Sequence, residues 1–328
     1  MSERRPGSRW ITRLGVVAFA LVLASPMSVS EAQPRARIGV LWPAASPPQP
    51  PRMEAFREGL REVGYVEGQN IDIDLRYAGD PEHLRQLSAE LIRANINVLA
   101  TFGDVAPRIA QHTTTTIPIV ALADDILGTG LITNLARPGA NITGISILSP
   151  ELSAKRLELL REIVPQASRV AVMWDPATPS QLKAAEGAAR SLRIKLQVLE
   201  VRGRADLAGA FQAARQERAE ALNVLASPML SSLHQAIIDG AARSRLPVIY
   251  QWKEHAEAGG LVSYGPSVAA MWRQTAHVVS KILKGARPTD LPVEQPAKFE
   301  LVINLRTARS LGLKIPQALS LRADLTIE

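Results

Sequence analysis

The strongest constraint on this chain is an alternation of short apolar runs with stretches of helical spacing, run through twice. The runs Ile38–Trp42, Ile71–Tyr77, Val98–Phe102 and Ile117–Leu122 read as strands. Between them, Met53, Phe56, Leu60 and Val63, then Leu84, Leu87 and Leu91, recur at helical spacing. Gly64 stops the first of these helices, and Asp80-Pro81 starts the second. The segment PAASPPQPP after the first strand reads as loop, because prolines remove backbone donors. Strands separated by helices of about 10–15 residues imply βαβ units and a parallel sheet.

The pattern then restarts. Ile142–Ile147 leads into a helix carrying Leu157, Leu160 and Val164. Further strands are read at Arg169–Trp174, Lys195–Val201, Ala221–Ala226, Pro247–Tyr250, Leu261–Tyr264 and Phe299–Leu305. Val268, Met271, Trp272, Thr275, Val279 and Ile282 form the most amphipathic helix of the chain. Two successive βα sets of similar order predict two α/β lobes. The stretch 117–151 is their joint, with Asp124 and Asp125 facing the cleft.

The beginning of the chain does not fit this pattern. Arg4, Arg5, Arg9 and Arg13 precede the apolar run Leu14–Ala24, and Ser30-Glu31-Ala32 resembles a cleavage site. That is the layout of a secretory signal peptide over residues 1–32. The run is shorter than the about 20 residues needed to span a bilayer. The expected product is exported to a periplasm. With no cysteine in the chain, disulfides, thiolate metal sites and a lipid-modified cysteine are excluded. Without the leader's four arginines and two glutamates the net charge falls from +7 to +5, with basic residues scattered. Nucleic acid is therefore not an expected partner.

Ligands of open α/β sheets bind at the C-terminal ends of the strands. Those ends carry Trp42, Phe102-Gly103-Asp104, Asp124-Asp125, Trp174-Asp175, Ser227-Pro228, Tyr250-Gln251-Trp252 and Tyr264. Of the twelve aromatic residues after Ala32, six fall in this set. Such enrichment predicts an aromatic-lined pocket for a small ligand. Helix N-termini after Gly103, Asp125 and Ser227 offer donors to a carboxylate, and Asp104, Asp125 or Glu254 can pair with an ammonium. The competing reading is structural, since Asp104, Asp175 and Ser227 are also good helix caps. Catalysis finds little support. The histidines at 83, 112, 234, 255 and 277 lack metal-ligand spacing, and neither a G-x-S-x-G elbow nor a phosphate-binding loop is present. No metal and no cofactor is expected.

Several segments carry a family resemblance. These are FREGLREVGYVEGQNI (56–71), TIPIV (116–120), NLARPGANITGIS (134–146), ELSAKRLELLREIVP (151–165), RVAVMWDPATP (169–179), AEAGGLVSYGPS (256–267) and LPVEQPAKFELVINLRTARSLGLKIP (291–316). In this order the chain resembles ABC-transporter substrate-binding proteins of the tryptophan/tyrosine-type group. The resemblance implies a type I periplasmic-binding fold: two Rossmann-like lobes with parallel sheets, joined by a three-segment hinge. On this basis the N-terminal lobe is expected over 33–145 plus 265–290, and the C-terminal lobe over 146–264 plus 291–328.

By position, the resemblance implies a cleft lined by Trp42, Gly103, Asp104, Asp125, Trp174, Ser227, Tyr250, Glu254 and Tyr264. The sequence departs from the family pattern at Phe102, usually a small residue, and at Asp104, usually threonine or serine. It also departs at Asp125-Ile126, usually Asp-Pro, and at Ser227, often acidic. The expected function is a monomeric periplasmic solute-binding protein that captures an amino-acid-like ligand by hinge closure. It would deliver that ligand to an ABC permease in the inner membrane. The alternatives are an exported hydrolase or transferase using cleft carboxylates, and a ligand-sensing module for a membrane receptor.

Overall fold

The computed structural model describes residues 35–296 and 298–328, and the leader read over residues 1–32 lies outside them. The chain runs β1 (Ala36–Trp42), α1 (Pro50–Glu62), β2 (Ile71–Tyr77), α2 (Pro81–Arg93), β3 (Val98–Phe102), α3 (Val105–Thr113), β4 (Ile119–Ala123) and β5 (Ile142–Ser146). It continues through α4 (Ser149–Ile163), β6 (Arg169–Trp174), α5 (Pro179–Ser191), β7 (Lys195–Glu200), α6 (Leu207–Gln216) and β8 (Ala221–Val224). Then come α7 (Pro228–Ser232), α8 (His234–Ser244), β9 (Val248–Tyr250), α9 (Lys253–Glu257) and β10 (Val262–Pro266). The last elements are α10 (Val268–Leu283), β11 (Phe299–Asn304), α11 (Leu305–Leu311), α12 (Gln317–Arg322) and β12 (Leu325–Ile327).

The strands form two sheets, ordered β2-β1-β3-β4-β5 and β12-β11-β10-β9-β8-β6-β7. The order of the first sheet recurs in the second as β7-β6-β8-β9-β10, so the duplication seen in the sequence is a duplication of topology. Pairing is parallel throughout except between β10 and β11. The sheets are therefore mostly rather than wholly parallel. In both sheets the strand order reverses beside the first strand of the set, which places the loops after β1, β3, β6 and β8 at the switch points where ligands bind.

Local chemistry explains most boundaries. Strands β1, β3, β4 and β5 are almost continuously apolar and buried. The edge strand β2 alternates and carries Asp72, Asp74 and Arg76 along its rim. The proline-rich loop is shorter than expected, because Pro50 and Pro51 occupy the first turn of α1. There a missing N–H leaves no hydrogen bond unmade.

The chain passes between the sheets three times: after β5, after β10, and beyond Glu294. Helix α10 follows a strand of the second sheet yet packs against α1 of the first. At Gly59 a Cβ would lie 2.7 Å from the Arg273 backbone, so only glycine lets the two helices approach this closely. Residues 291–294, expected in the C-terminal lobe, instead lie along β5. The Glu294 amide donates to the Gly144 carbonyl, the Ser146 amide donates to the Glu294 carbonyl, and Val293 joins the core of the first sheet.

Candidate functional site

The C-terminal ends of β1, β3 and β4 face the loops after β8 and β9 across a cavity of about 380 Å³, part of it open to solvent. The first lobe supplies Trp42, Arg52, Phe102, Gly103 and Asp124, and α10 adds Val268, Met271 and Trp272. The second lobe supplies Ser227, Pro228, Ser231 and Trp252. Gly103 has φ +68°, and a Cβ there would lie 2.7 Å from Pro228 Cγ. The backbone of one lobe thus passes directly under the other, a place where a side chain would not fit.

The apolar wall is an aromatic cluster. The Phe102 ring stacks on Trp272 with centroids 3.9 Å apart and planes inclined by 16°. Trp42 meets Phe102 edge-on at 5.9 Å. Each ring comes from a different element, so the cluster ties β1, β3 and α10 together.

Two opposite charges line the same cavity. Arg52, on α1, donates from Nη2 to the Ser231 hydroxyl at 2.6 Å, bridging the lobes. Its guanidinium lies 5.6 Å from the Trp42 ring centroid. Burial pulls its pKa down to about 10, opposed by the charge of Glu254. Asp124, just beyond β4, accepts a hydrogen bond from the Ser149 hydroxyl at 3.0 Å. Burial, and then the neighbouring Asp104 carboxylate, push its pKa well above the usual range.

Asp104 stands where α3 begins but does not cap it. Its Oδ1 accepts from the amides of Asp124 at 2.9 Å and Asp125 at 3.2 Å, while its buried Oδ2 has no protein partner. Burial is the largest cause pushing its carboxyl up to about 6. The two carboxylates therefore form one electrostatic unit at the cavity wall, opposed by the charges of Arg156 on Asp124 and Arg108 on Asp104.

Of the nine residues expected from the sequence, Trp42, Gly103 and Ser227 line the cavity, and Asp104 braces the loop behind it. Ser227 also caps α7, accepting from the Leu230 amide at 3.0 Å. The other five lie elsewhere. The Asp125 carboxylate accepts from the Gly128 amide at 2.8 Å and closes a turn. Trp174 is half-buried against a small cluster with Val172, Ala185 and Leu225. Tyr250 is buried in the second lobe's core, edge-on to His255 at 5.5 Å. Glu254 is not among the residues lining the cavity, and its charge acts on Arg52. Tyr264 stacks on Phe299, and its carbonyl accepts from Arg156 Nε at 2.8 Å.

Arg52, Ser231 and Trp272 were not anticipated, because they lie on helices and the strand-end rule names only loops. Asp124 lines the cavity where Asp125 was the expected contact. Among the described residues no group of three or more His, Cys, Asp or Glu is placed to hold a metal.

The family model for the ABC transporter substrate binding protein matches residues 37–327. A crystal structure of a conserved domain protein from Vibrio cholerae O1 biovar El Tor is 30% identical, with TM-score 0.82 over 89% of this chain and 100% of that one. A domain from Streptococcus pneumonia in complex with L-Trp is 23% identical, with TM-score 0.81 over 90% of this chain and 100% of that one. A tyrosine-binding protein of Clostridioides difficile (strain R20291) is 22% identical over 291 residues, 87% of this chain and 83% of its own length. The chain belongs to the ABC transporter substrate binding protein family. It is a solute-binding protein of the type I periplasmic-binding fold, and the reading as an exported enzyme is set aside.

Proposed function

We propose that the protein is the exported, periplasmic binding component of an ABC importer, and that it holds a small amino-acid-like zwitterion between its lobes. The observation that carries this reading is the pairing of Arg52 and Asp124 on the wall of one mostly apolar cavity. A guanidinium fits a carboxylate, and a carboxylate fits an ammonium. The apolar remainder suits an uncharged side chain. Ligand contacts to both lobes favour the closed arrangement, so closure follows from differential binding and needs no bond chemistry. Residues 1–32 act as the leader in this reading, and a membrane permease is the recipient.

The test is a thermal-shift screen of the mature protein against the common amino acids, followed by titration of Asp124→Asn. Stabilisation of the native protein is expected, because a ligand that binds only the folded state raises its stability. Asp124→Asn is expected to weaken binding by about 1.5–3 kcal/mol, roughly tenfold to a hundredfold. Absence of stabilisation by any amino acid, or unchanged affinity in the variant, refutes the reading.

A further inference from the structure

We propose that Arg156 is a positioning residue for the ammonium end of the ligand: it does not line the cavity, but its buried charge holds Asp124 in the anionic form that an ammonium needs. The inference rests on the binding role proposed above. Arg156 lies on α4 and is 0% exposed. Its Nε donates to the Tyr264 carbonyl at 2.8 Å, while both Nη atoms are buried with no hydrogen-bond partner among the described residues. A guanidinium carries five N–H donors, so most of its hydrogen-bonding capacity is unused. A buried cation in that state depends on the charges around it.

The geometry of α4 directs that charge toward Asp124. Ser149 opens the helix, and its amide donates to the Asp124 carbonyl while its hydroxyl donates to the Asp124 carboxylate, each at 3.0 Å. Arg156 lies two turns further along the same helical face. Side chains on a helix lean toward its N-terminus, so the long arginine chain runs back over the turn that holds Asp124. Ser153, between them on that face, donates to the Ser149 carbonyl at 2.7 Å and takes no part. One helix of the second lobe thus brings both a donor and a cation to a carboxylate of the first.

The charges facing this pair come from several elements. Burial, then Asp104 before α3 and Asp175 after β6, act against ionisation of Asp124, whereas Ser149 and Arg156 act for it. Around Arg156 the relation is returned, with Asp124 and then Tyr264 opposing the effect of burial. His255 on α9 feels Arg52, His234 and Arg156, but burial keeps its ring neutral and it supplies no counter-charge. Arg52 bonds Ser231 and is opposed by Glu254, and Arg108 acts on Asp104. Among the groups acting on Asp124, Arg156 is therefore the cation. An opposite charge nearby lowers a carboxyl pKa by about 1–3 units, and one that makes no hydrogen bond to it belongs near the low end. Without Arg156, Asp124 keeps its proton to higher pH and an ammonium meets a neutral acid. The resulting loss of affinity is up to about tenfold below the titration and fades above it. A side chain needed only for packing would weaken binding by one factor at every pH.

The experiment follows the Asp124 carboxyl by carbon NMR in the ligand-free mature protein, its resonance assigned by its loss in Asp124→Asn. Calorimetry over the same pH range measures affinity for alanine, leucine and tryptophan, which share the ammonium and differ in side chain. Native protein is compared with Arg156→Gln, which can still donate to the Tyr264 carbonyl, and with Arg156→Lys, which keeps the charge. Arg156→Met serves if Arg156→Gln does not fold. In Arg156→Gln the Asp124 midpoint is expected to rise by about one pH unit, and in Arg156→Lys to stay close to native. Affinity of Arg156→Gln is expected to fall by up to about tenfold at the acid end and to converge on the native value at the alkaline end. An unmoved midpoint overturns the proposal, and so does a loss of affinity that is the same at every pH. A shifted midpoint in a protein that binds none of the three amino acids overturns the binding role proposed above and the ligand half of this inference, leaving Arg156 only as the counter-charge of Asp124.

Discussion

The two walls of the cleft are built on opposite principles. The first lobe presents a cluster of packed rings, with Trp42 Nε1 unpartnered among them, over a core running from α1 through the sheet to α10. Behind the second lobe's wall, buried polar groups lack protein partners: both Nη atoms of Arg156, both amide atoms of Gln251, the Asn223 carbonyl oxygen and both ring nitrogens of His255. Burial pulls Arg156 down to about 9 and pushes His255 well below its ordinary value. The first wall is stabilised by burial and sets shape, while the second carries desolvation cost. Truncation should therefore act very differently on the two sides.

The largest effect is expected at Trp272. Trp272→Ala should lower stability by about 3–5 kcal/mol, read from urea unfolding, because it removes a buried ring together with its contacts to Trp42 and Phe102. Arg156→Met on the opposite side relieves the desolvation of a buried charge but loses one hydrogen bond to Tyr264 and the opposing charge on Asp124, so its loss should fall below that of Trp272→Ala and should shrink at low pH, where Asp124 is protonated. Equal losses would dissolve the contrast between the walls.

A second test sharpens the comparison through pH, at a place where the first lobe also buries charge. The Asp104 carboxyl sits at about 6 against an ordinary 3.8. Between about pH 4 and pH 6 the folded chain holds a proton that the unfolded chain has released. Its contribution to stability is therefore highest below that window and declines as the pH rises through it. Asp124, pushed well above its ordinary range by burial and by Asp104, adds to the decline. Asp104→Asn retains an acceptor for the amides of residues 124 and 125 and should flatten the decline, measured as the urea midpoint across that range. A variant with the native slope would assign the titration to another group. By the same linkage, a ligand ammonium favours the ionised carboxylates, so affinity should rise with pH over this range and binding should release protons.

How far the sequence reveals such features depends on the length scale of the signal. Strand and helix periodicity is local and repeated, so eleven of the twelve strands could be read with ends displaced by a few residues. Only β12 escaped, because Leu325-Thr326-Ile327 is short and has no apolar pattern of its own. The site depends on finer detail. Reading the fourth strand as 117–122 rather than Ile119–Ala123 moves its end by one residue. With a side-chain period of two, that shift decides which of two adjacent carboxylates turns inward. Asp124 faces the cavity, and Asp125 closes the following turn. Arg52 and Trp272 were invisible for another reason. Their helices meet the cleft only because α10 crosses back to pack on α1, a long-range contact that no window of sequence contains.

The smallest expected effect lies where the two walls touch. Besides the charged contact from Arg52 to Ser231, Gln49 Nε2 lies 3.0 Å from His234 Nδ1. Gln49 immediately precedes α1 and His234 begins α8, so this contact belongs to neither lobe's core. Its loss should leave each lobe intact and weaken only the closed arrangement. For a neutral hydrogen bond that amounts to about 0.5–1.5 kcal/mol, roughly twofold to tenfold in ligand affinity. Gln49→Ala should therefore lower affinity by that factor while the unfolding midpoint without ligand stays within about 0.5 kcal/mol of the native value. Ser231→Ala, which takes the acceptor from a charged donor, should cost more, about 1.5–3 kcal/mol. If Gln49→Ala instead destabilised the ligand-free protein as much as it weakened binding, the contact would belong to the resting fold and not to closure. The two walls would then be held together before any ligand arrives.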